Sequence, residues 1–439
     1  MKYLSIKDII VLGMLNLALF VGAGNIIFPP YIGYMSGANL WSSAIGFLLT
    51  GVGLPVLAAI AMGPVEGSMD AITSPLGKKL GLAVILVCYL CTGPMGATPR
   101  AATIAYELAF KPFFHLGSYA WVFFLAYFGI IIAFALYPNK IFALVGQVLT
   151  PIKVVALLIL CLSVFTFSAD VSTNVAQGPY AVAPFSEGIS QGYLTMDAFA
   201  SMIFGIIMVN AIRSRGVTNH GLVIRYVAYA ALIAGAGLIF IYFCLFLVGA
   251  KSTGLVHGDI TNGTQIINPY VVYHCGVAGK ILMSVLITIA CIIAAIGISS
   301  SGSIFFNRIV GLKYRVMVFV INTVAFSLST LGLTRLIAMS VPILLIIYPV
   351  FIILIIMSFF RNYVRSMPMV LGPACAVGLV CGFFDAFKSQ GLEYLVPSVY
   401  THLPFFAQGL AWITPCVTLV ILGLAFDYYS NKLSRAKLS

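Results

Sequence analysis

Charged side chains are scarce in this sequence, and their scarcity excludes a water-soluble protein. Asp, Glu, Lys and Arg make up 8% of the 439 residues, whereas hydrophobic residues make up 62%. A soluble globular domain has about 25% charged residues, so this chain has too few charges to form a surface that faces water. The composition predicts an integral membrane protein that crosses the bilayer many times and has no large soluble domain.

Sequence motifs of ATP-driven pumps and of metalloenzymes are also absent. The sequence has no GxxxxGK[ST] segment, so it contains no nucleotide-binding loop of that kind. The five histidines all fall in predicted connecting segments, and no HExxH motif accompanies them. Of the nine cysteines, only Cys275 lies in a connection and the others belong to apolar runs, so no disulfide framework is indicated.

Long apolar runs fill most of the chain. A membrane-spanning helix needs roughly 20 mainly apolar residues, and this length divides the sequence into twelve predicted helices, numbered 1 to 12. They lie near residues 8–32, 39–62, 79–107, 118–137, 144–167, 193–212, 222–249, 279–304, 315–333, 336–360, 368–387 and 405–426. Eleven helices are the alternative, if the stretch 315–360 is divided differently. The longest connections, near 168–192, 250–278 and 388–404, are too short for a separate catalytic domain.

Basic residues are distributed unevenly between the two sides of the predicted membrane. With the N-terminus inside, sixteen Lys and Arg residues fall in inner segments and five in outer segments. Cytoplasmic loops are enriched in Lys and Arg, so both termini are predicted to lie in the cytoplasm. The formal net charge of +12 is then a topology signal and not a nucleic-acid-binding surface. The expected partners are the lipid bilayer and a small molecule, and the sequence leaves the oligomeric state open.

Predicted helix 1 contains residues that do not suit a continuous helix. Gly22, Gly24 and Asn25 lie near its middle, and Pro29 and Pro30 follow at its outer end. Backbone polar groups freed in hydrocarbon are costly, so a break persists only where protein, water or ligand satisfies them. Close helix packing is the alternative role for the glycines, but Asn25 beside Gly24 favours a discontinuous helix.

Predicted helix 6 has a second candidate break, between Asp197 and Gly205. This stretch combines a carboxylate, the hydroxyl of Ser201 and a glycine in the first part of the span. The alternative is that Asp197 lies near the outer membrane surface. Interrupted helices at corresponding positions of two inverted halves are the best sequence indication of a transporter's central site.

The two breaks occupy corresponding positions if the chain contains an inverted repeat. A first unit of five helices makes the second unit start on the opposite side of the membrane. We therefore predict a single transmembrane domain, 1–439, in which residues 8–167 form the first repeat and residues 193–360 form the second. Two additional helices follow at about 368–426.

Three consecutive serines lie near the end of predicted helix 8. Ser299, Ser300 and Ser301 stand between Gly297 and Gly302, about two-thirds of the way towards the inner side. Each serine can bond to a carbonyl one turn earlier, which is the structural alternative. Because small hard cations prefer oxygen ligands, the adjacent hydroxyls favour a cation site.

Four motifs resemble those of bacterial branched-chain amino acid:cation symporters, the BrnQ-type carriers. They are Val-Gly-Ala-Gly-Asn at 21–25 with Phe-Pro-Pro at 28–30, Gly-Pro at 93–94 with Pro-Arg at 99–100, Gly-Tyr-Leu-Thr-Met-Asp-Ala at 192–198, and Asn-Ala-Ile-Arg-Ser at 210–214. The resemblance covers essentially the whole chain. It implies membership of the amino acid–polyamine–organocation superfamily, hence an all-α leucine-transporter-type fold with a five-plus-five inverted repeat and broken helices 1 and 6.

The resemblance also implies a role for each interrupted segment. It assigns the substrate carboxylate to main-chain amides at the break of helix 1, and the substrate ammonium to main-chain carbonyls nearby. The implied substrate-binding residues are Phe20, Val21, Gly22, Ala23, Gly24, Asn25, Phe199, Ser201 and Phe204. The implied ligands of a co-transported sodium ion are the carbonyls of Ala18 and Val21 and the hydroxyls of Ser299 and Ser300. No organic cofactor is expected.

Three further ionisable residues lie within predicted helices, where such residues are candidates for function. Arg100 and Glu107 share one face of helix 3 and are candidates for an outer gate, although Arg100 pointing outward to brace an external loop is favoured. Lys153 in helix 5 is a candidate for coupling transport to protons, because relatives in the superfamily replace the sodium ion with a lysine at helix 5. Extension of Lys153 to the inner surface is the favoured alternative.

These features predict uptake of leucine, isoleucine and valine by sodium symport with alternating access, in the bacterial cytoplasmic membrane. Since the broken segments contain no charged residue other than Asp197, the side-chain pocket should be apolar. Such a pocket distinguishes one methylene by only about 1–3 kcal/mol. The first alternative is a proton-coupled or exchange-type transporter of the same fold. A membrane-embedded enzyme is a distant alternative. A channel is the last alternative, because the absence of a repeated filter segment argues against it.

Overall fold

The protein is all-helical, as the sequence predicts. The computed structural model describes residues 3–22, 24–114, 119–137, 150–166, 175–256 and 259–436, and no β-strand occurs within these ranges. The α-helices are α1 (Ile6–Phe20), α2 (Gly24–Ser36), α3 (Leu40–Leu48), α4 (Leu54–Ala61), α5 (Met69–Thr73), α6 (Lys78–Thr92), α7 (Ala97–Ala105), α8 (Ala120–Ala135), α9 (Thr150–Ser163), α10 (Pro179–Val182), α11 (Pro184–Tyr193), α12 (Asp197–Arg213), α13 (His220–Lys251), α14 (Thr264–Val310), α15 (Tyr314–Ser329), α16 (Leu333–Ser358), α17 (Met367–Ser389), α18 (Ser398–Thr401) and α19 (Ile413–Ala436). A π-helical turn, Leu49–Gly53, joins α3 to α4, and another, Tyr106–Phe110, extends α7.

Each of the twelve predicted helices corresponds to at least one observed helix. In the part of the chain that the structure describes, seven helical segments are long and apolar enough to cross a membrane, and α11 with α12 makes an eighth as a bent pair. Two of the seven, Gly24–Ala61 and Lys78–Phe110, consist of several consecutive helices, and the other five are α13, α14, α16, α17 and α19. Two more apolar helices, α8 and α15, are shorter. The positions of the apolar helices are therefore confirmed, whereas the number of twelve spans stays a prediction.

The break in predicted helix 1 is confirmed. The first half ends at Phe20, Val21 has an extended conformation with ψ of 90°, and the second half starts three residues later as α2. Ala23 lies outside the described residues. Pro29 and Pro30 lie inside α2, so they do not end the helix as predicted. Two half-helices thus meet end to end inside the protein, and their free backbone groups face each other.

The break in predicted helix 6 is real, but it lies earlier than predicted. The two halves, α11 and α12, are bent by 41° at residues 194–196, where Met196 is left-handed with φ of 60°. The stretch from Asp197 to Gly205 is regular helix, so Ser201 and Phe204 do not lie in an unwound segment. The first half, α11, falls in the predicted outer connection 168–192. Its polar residues lower the hydropathy of this segment, so the apolar-length criterion does not identify it as a helix.

Predicted helix 3 is interrupted as well, which the sequence reading did not anticipate. The four residues from Gly93 to Gly96 separate α6 from α7. Both glycines have non-helical backbone angles, with ψ of −115° and −88° respectively. The interruption places the start of α7 beside the break between α11 and α12, so that Arg100 reaches it.

Two predicted boundaries are wrong. The predicted outer connection 250–278 is helical from Thr264 onward, and α14 is kinked at Gly276, where φ is 58°. The first residues of predicted helix 12, 405–412, are not helical, and α19 starts at Ile413. The two errors have different causes. Polar residues and Pro269 conceal the start of α14, whereas residues 405–412 are mainly apolar, and apolar content does not distinguish a helix from an apolar turn.

Glycines pack the half-helices α2 and α11 tightly against neighbouring helices. A Cβ on Gly249 of α13 would lie 2.0 Å from the carbonyl oxygen of Pro30 in α2, and a Cβ on Gly188 of α11 would lie 2.0 Å from the carbonyl oxygen of Ser43 in α3. Small residues allow such close backbone approach in membrane helices. The positions of α2 and α11, and hence of both breaks, are therefore fixed by packing.

Candidate functional site

A buried polar cluster connects the two broken helices. Asn25 Nδ2 donates hydrogen bonds to Asp197 Oδ2, at 2.5 Å, and to the Tyr242 hydroxyl, and that hydroxyl donates to Asp197 Oδ2 at 3.2 Å. Asn25 Oδ1 accepts from the Gly22 amide at 2.9 Å. The side chains of Asn25 and Asp197 are buried, so Asp197 is not exposed at the surface of the protein, whereas its depth in the membrane stays a prediction. The cluster joins α2, α12 and α13 at the level of the breaks.

Arg100 points into the protein and not outward. Its Nη1 donates to the Leu194 carbonyl at 2.6 Å and its Nη2 donates to the Thr195 carbonyl at 3.3 Å. Its guanidinium carbon lies 5.3 Å from the centre of the Phe28 ring, and the residue is 2% exposed. The outward-pointing Arg100 that the sequence favoured is therefore wrong, because the carbonyls freed at residues 194 and 195 need a donor.

A cavity of about 40 Å³ lies between the breaks. Its polar lining comes from Arg100, Asp197, Asn25, Thr92 and Thr195, together with the glycines of the first break. Its apolar lining is formed by Leu19, Phe20, Ala97, Ala101, Met196, Ala200, Phe204, Ala294, Ala295 and Ile298. The cavity thus combines charged and hydroxyl groups with apolar walls, which is the polarity expected for a small amphipathic ligand. Its volume is that of a few water molecules, so an amino acid fits only when the surrounding helices move apart.

Most of the substrate-binding residues implied for helix 1 line this cavity. Phe20, Gly22, Gly24 and Asn25 do so, whereas Val21 is buried next to them without lining it. The amide groups at the start of α2 face the cavity, since its first two residues line it.

The residues implied for helix 6 divide between the cavity and the surrounding core. Phe204 lines the cavity. Phe199 packs instead against Tyr348 and Phe351 of α16, with ring centres 4.7 and 4.5 Å apart. Ser201 Oγ donates to the Asp197 carbonyl at 2.7 Å, one turn earlier in its own helix. The structure therefore does not place Phe199 or Ser201 against the cavity, because α12 is already helical at both positions.

A second, larger cavity of about 600 Å³ lies beside the first, along α6, α12 and α14. It is lined by one face of α12, by the end of α14 and by the connection between α4 and α5. Met202 of α12 and Ser300 of α14 line it and lie within two residues of residues that line the smaller cavity. At its mouth, Arg308 forms an exposed ion pair with Asp70 at 2.9 Å. This cavity opens at the end of the protein that the basic residues predict to be cytoplasmic.

The two serines of the implied cation site differ in their contacts. Ser299 Oγ accepts a hydrogen bond from Asn322 Nδ2 of α15 at 2.6 Å. Ser300 Oγ is buried and makes no hydrogen bond of regular geometry within the described ranges, although the Tyr314 hydroxyl lies close enough to interact with it. Ala18 lies within α1, and Val21 directly follows that helix. A buried hydroxyl without a regular hydrogen bond is compatible with a cation ligand.

Glu107 does not line the cavity, and the side chain of Lys153 is not among the described residues. Glu107 accepts a hydrogen bond from Thr264 Oγ1 at 2.8 Å, which connects the π-helical extension of α7 to the start of α14. Arg100 lines the cavity and Glu107 does not, and their role as an outer gate stays a prediction. Lys153 belongs to α9, but its side chain lies outside the described residues.

Tyr242 and Asn322 are functional candidates that the sequence reading missed. Tyr242 is fully buried and bonds to both Asn25 and Asp197, and Asn322 is fully buried against Ser299. A polar side chain inside an apolar run was the available signal for Asn322. Tyrosine is common in apolar helices, so nothing in the local sequence distinguishes Tyr242.

Proteins of similar sequence are bacterial permeases and carriers. The chain is 42% identical over 424 residues to the branched-chain amino acid permease BrnQ of Escherichia coli K12, with 96% of each chain covered. It is 42% identical to the branched-chain amino acid transport system 3 carrier protein of Pseudomonas aeruginosa, with 95% of each covered. It is also 34% identical to the branched-chain amino acid permease BraB of Bacillus subtilis, with 97% of each covered.

Solved structures of similar fold are membrane transporters of different sequence. A nucleobase-cation-symport-1 family transporter in a closed conformation aligns with a TM-score of 0.60 at 12% identity, covering 97% of this chain and 93% of the other. A manganese transporter of Eremococcus coleocola aligns with a TM-score of 0.59 at 14% identity, covering 95% and 94%. These alignments confirm the leucine-transporter-type fold. At the level of sequence, residues 5–430 match the model of the family described as branched-chain amino acid transport protein, and the chain belongs to that family.

Proposed function

We propose that this protein is a secondary transporter that imports the branched-chain amino acids leucine, isoleucine and valine. The observation that carries the proposal is the cavity between the two broken helices, where charged groups and apolar walls lie together. The family membership and the names of the relatives support the substrate class. The predicted inverted repeat, the cytoplasmic termini and the location in the bacterial cytoplasmic membrane belong to the same proposal.

The substrate backbone would bind at the breaks and its side chain in the apolar part of the cavity. The start of α2 offers unpaired amides and the positive end of a helix dipole to the carboxylate. Asp197 offers its carboxylate to the ammonium, from a position beside the break of α11 and α12. Phe20, Phe204 and Ile298 would surround a branched aliphatic side chain. Because these contacts are apolar, valine would bind at most about 1–3 kcal/mol more weakly than leucine or isoleucine, so all three would be transported.

The arrangement of the two cavities supports alternating access. The larger cavity leads towards the end predicted to be cytoplasmic, and it is lined by residues next to those that line the substrate cavity. On the other side, the glycine contacts between α2 and α13 and between α3 and α11 close the protein tightly. Rocking of one helix group against the other would open and close these two sides in turn.

Sodium is the proposed coupling ion. The buried hydroxyl of Ser300 supports an oxygen-ligand site within α14, and Ser299 would complete it with main-chain carbonyls of Ala18 and Val21. Asn322 would orient Ser299, since it donates to one lone pair of the Ser299 hydroxyl and leaves the second lone pair available. The sodium ion would move with the amino acid as a second substrate.

A proton-coupled transporter is the second candidate, because a buried carboxylate lies at the cavity. Asp197 lines the cavity, and a buried carboxylate can take up a proton when its neighbours move. Lys153 remains the other candidate for a proton carrier. Protonation of Asp197 would remove the acceptor proposed for the substrate ammonium, so this candidate predicts competition between protons and substrate.

Uptake of radiolabelled leucine into liposomes that contain the purified protein tests both candidates. An imposed sodium gradient should drive accumulation, and an imposed pH gradient without sodium should not. Ser300→Ala should raise the sodium concentration needed for half-maximal uptake by at least tenfold. Ser327→Ala on the exposed side of α15 is the matched control and should leave it unchanged. Proton coupling would be supported instead if the pH gradient alone drove accumulation and if Ser300→Ala left this uptake unchanged.

A further inference from the structure

An unsatisfied donor of Arg100 lies in the wall of the substrate cavity. Arg100 is 2% exposed and lines the cavity, yet its Nε has no hydrogen-bond partner among the residues that the structure describes. Buried polar groups nearly always have a partner, so an orphaned donor on a charged side chain requires an explanation. Nη1 donates one hydrogen to the carbonyl of residue 194, and Nη2 donates one hydrogen to the carbonyl of residue 195.

The orphaned donor belongs to the edge of the guanidinium that faces the start of α2. Nε and Nη2 form one edge of the guanidinium group, with two parallel N–H bonds that match the two oxygens of a carboxylate. Nη2 lies so close to Gly24 that a Cβ on this glycine would be 3.1 Å away. The positive end of the thirteen-residue helix α2 and the Nε–Nη2 edge of Arg100 therefore lie on the same side of the cavity.

We propose that Arg100 binds the carboxylate of the transported amino acid through its Nε–Nη2 edge, together with the amides at the start of α2. The inference rests on the proposed function and deepens it, because the family resemblance implies main-chain amides alone for this role. A planar guanidinium is suited to bidentate carboxylate binding, which an ammonium group cannot reproduce.

The charges of the site are consistent with this assignment. Arg100 and Asp197 line one cavity with opposite charges, and Asp197 is held by Asn25 and Tyr242 on the side of α13. A zwitterion would place its carboxylate at Arg100 and its ammonium at Asp197, so the occupied site stays electrically balanced. Arg100 belongs to α7 and already contacts the break between α11 and α12. Binding of the carboxylate would therefore also connect both of these to α2.

The test compares ligands that carry different parts of leucine. Leucinamide keeps the ammonium and the side chain but has no carboxylate, and 4-methylpentanoate keeps the carboxylate but has no ammonium. Apparent dissociation constants come from the ligand concentration dependence of thermal stabilisation of the purified, full-length protein. This readout needs no labelled ligand and remains usable when binding is weak.

Arg100→Gln should weaken leucine and 4-methylpentanoate by about 10- to 100-fold and change leucinamide by less than about twofold. Arg100→Lys should give an intermediate loss for the two carboxylates, because it keeps the charge but loses the paired N–H groups. Arg100→Lys also provides the comparison with wild type if Arg100→Gln does not fold. Thr195→Val is the control for damage to the break between α11 and α12. Thr195 Oγ1 donates to the Gly192 carbonyl at 3.0 Å and accepts from the Asp197 amide at 3.3 Å, so this substitution removes two bonds of the break. This control should affect leucine and leucinamide equally.

Three results would overturn the inference. Equal weakening of leucine and leucinamide by Arg100→Gln would mean that Arg100 only supports the break between α11 and α12. Unchanged affinity for all three ligands would mean that the guanidinium does not touch the ligand. A wild-type protein that leucine does not stabilise would overturn the proposed function as well, so the two failures are distinguishable.

Discussion

The bond between Tyr242 and Asp197 offers a direct test of the polar cluster that connects the broken helices. Asp197 Oδ2 accepts from Asn25 Nδ2 and from the Tyr242 hydroxyl, and both donors come from other helices. Asp197→Asn removes the charge with little change of volume. Tyr242→Phe removes the hydroxyl and keeps the ring, which packs against Phe47 with centres 5.2 Å apart.

The magnitude follows from the number and kind of bonds lost. Side-chain hydrogen bonds in membrane proteins contribute about 0.6 kcal/mol on average and up to about 1.7 kcal/mol, and a charged acceptor places this bond at the upper end. Tyr242→Phe should therefore lower the free energy of unfolding by about 1–2 kcal/mol. Asp197→Asn weakens two bonds and should cost about 2–3 kcal/mol. The double variant should be less destabilised than the sum, with a coupling energy of about 1–1.5 kcal/mol.

A double-mutant cycle in mixed detergent micelles, with unfolding by SDS followed spectroscopically, measures this coupling. Tyr229→Phe is the matched control, because Tyr229 lies on the same helix and is 47% exposed. It should change the unfolding free energy by less than about 0.5 kcal/mol. Strictly additive effects of Asp197→Asn and Tyr242→Phe, within about 0.3 kcal/mol, would refute the cluster as the connection between α12 and α13.

Three further predictions follow from close contacts and exposure. Gly24→Ala should weaken leucine binding at least tenfold, since its Cβ would lie 3.1 Å from Arg100 Nη2; Gly129→Ala, which meets nothing within 4 Å, is the control. Gly249→Ala should destabilise the protein by about 2 kcal/mol or more in the same SDS titration, because its Cβ would lie 2.0 Å from a carbonyl oxygen of α2, and wild-type stability would contradict the close packing. Cys275 is exposed and the other eight cysteines are buried, so a membrane-impermeant maleimide added to intact cells should label it alone; labelling only after lysis would reverse the predicted orientation.

Local sequence features were sufficient to predict the first break. Asn25 beside Gly24 in an apolar run indicated a discontinuous helix, and the chain is indeed non-helical at Val21 and Gly22. Helix propensity and the cost of a free peptide group in hydrocarbon both act within a few residues. The same locality explains why the positions of the apolar helices could be read from hydropathy.

Non-local contacts decided the second break. The residues from Asp197 to Gly205 resemble a weak helix locally, yet they form regular helix, and the chain breaks at 194–196. The carbonyls freed there are satisfied by Arg100, which is 94 residues away in sequence. A break is stable only where a donor lies within hydrogen-bonding distance of the free carbonyls. Here the donor is Arg100, and its position depends on the unpredicted interruption between α6 and α7.

By itself, the sequence determined that this protein is a membrane protein, where its apolar helices lie, and which segments carry the charged and flexible residues of the site. Those properties depend on composition and on neighbours along the chain. Only the tertiary structure decided that Arg100 turns inward, that Tyr242 joins Asn25 from 217 residues away, and that Phe199 packs outside the cavity. A buried polar group is satisfied by whichever partner the packed helices bring within hydrogen-bonding distance, and sequence separation does not reveal that partner.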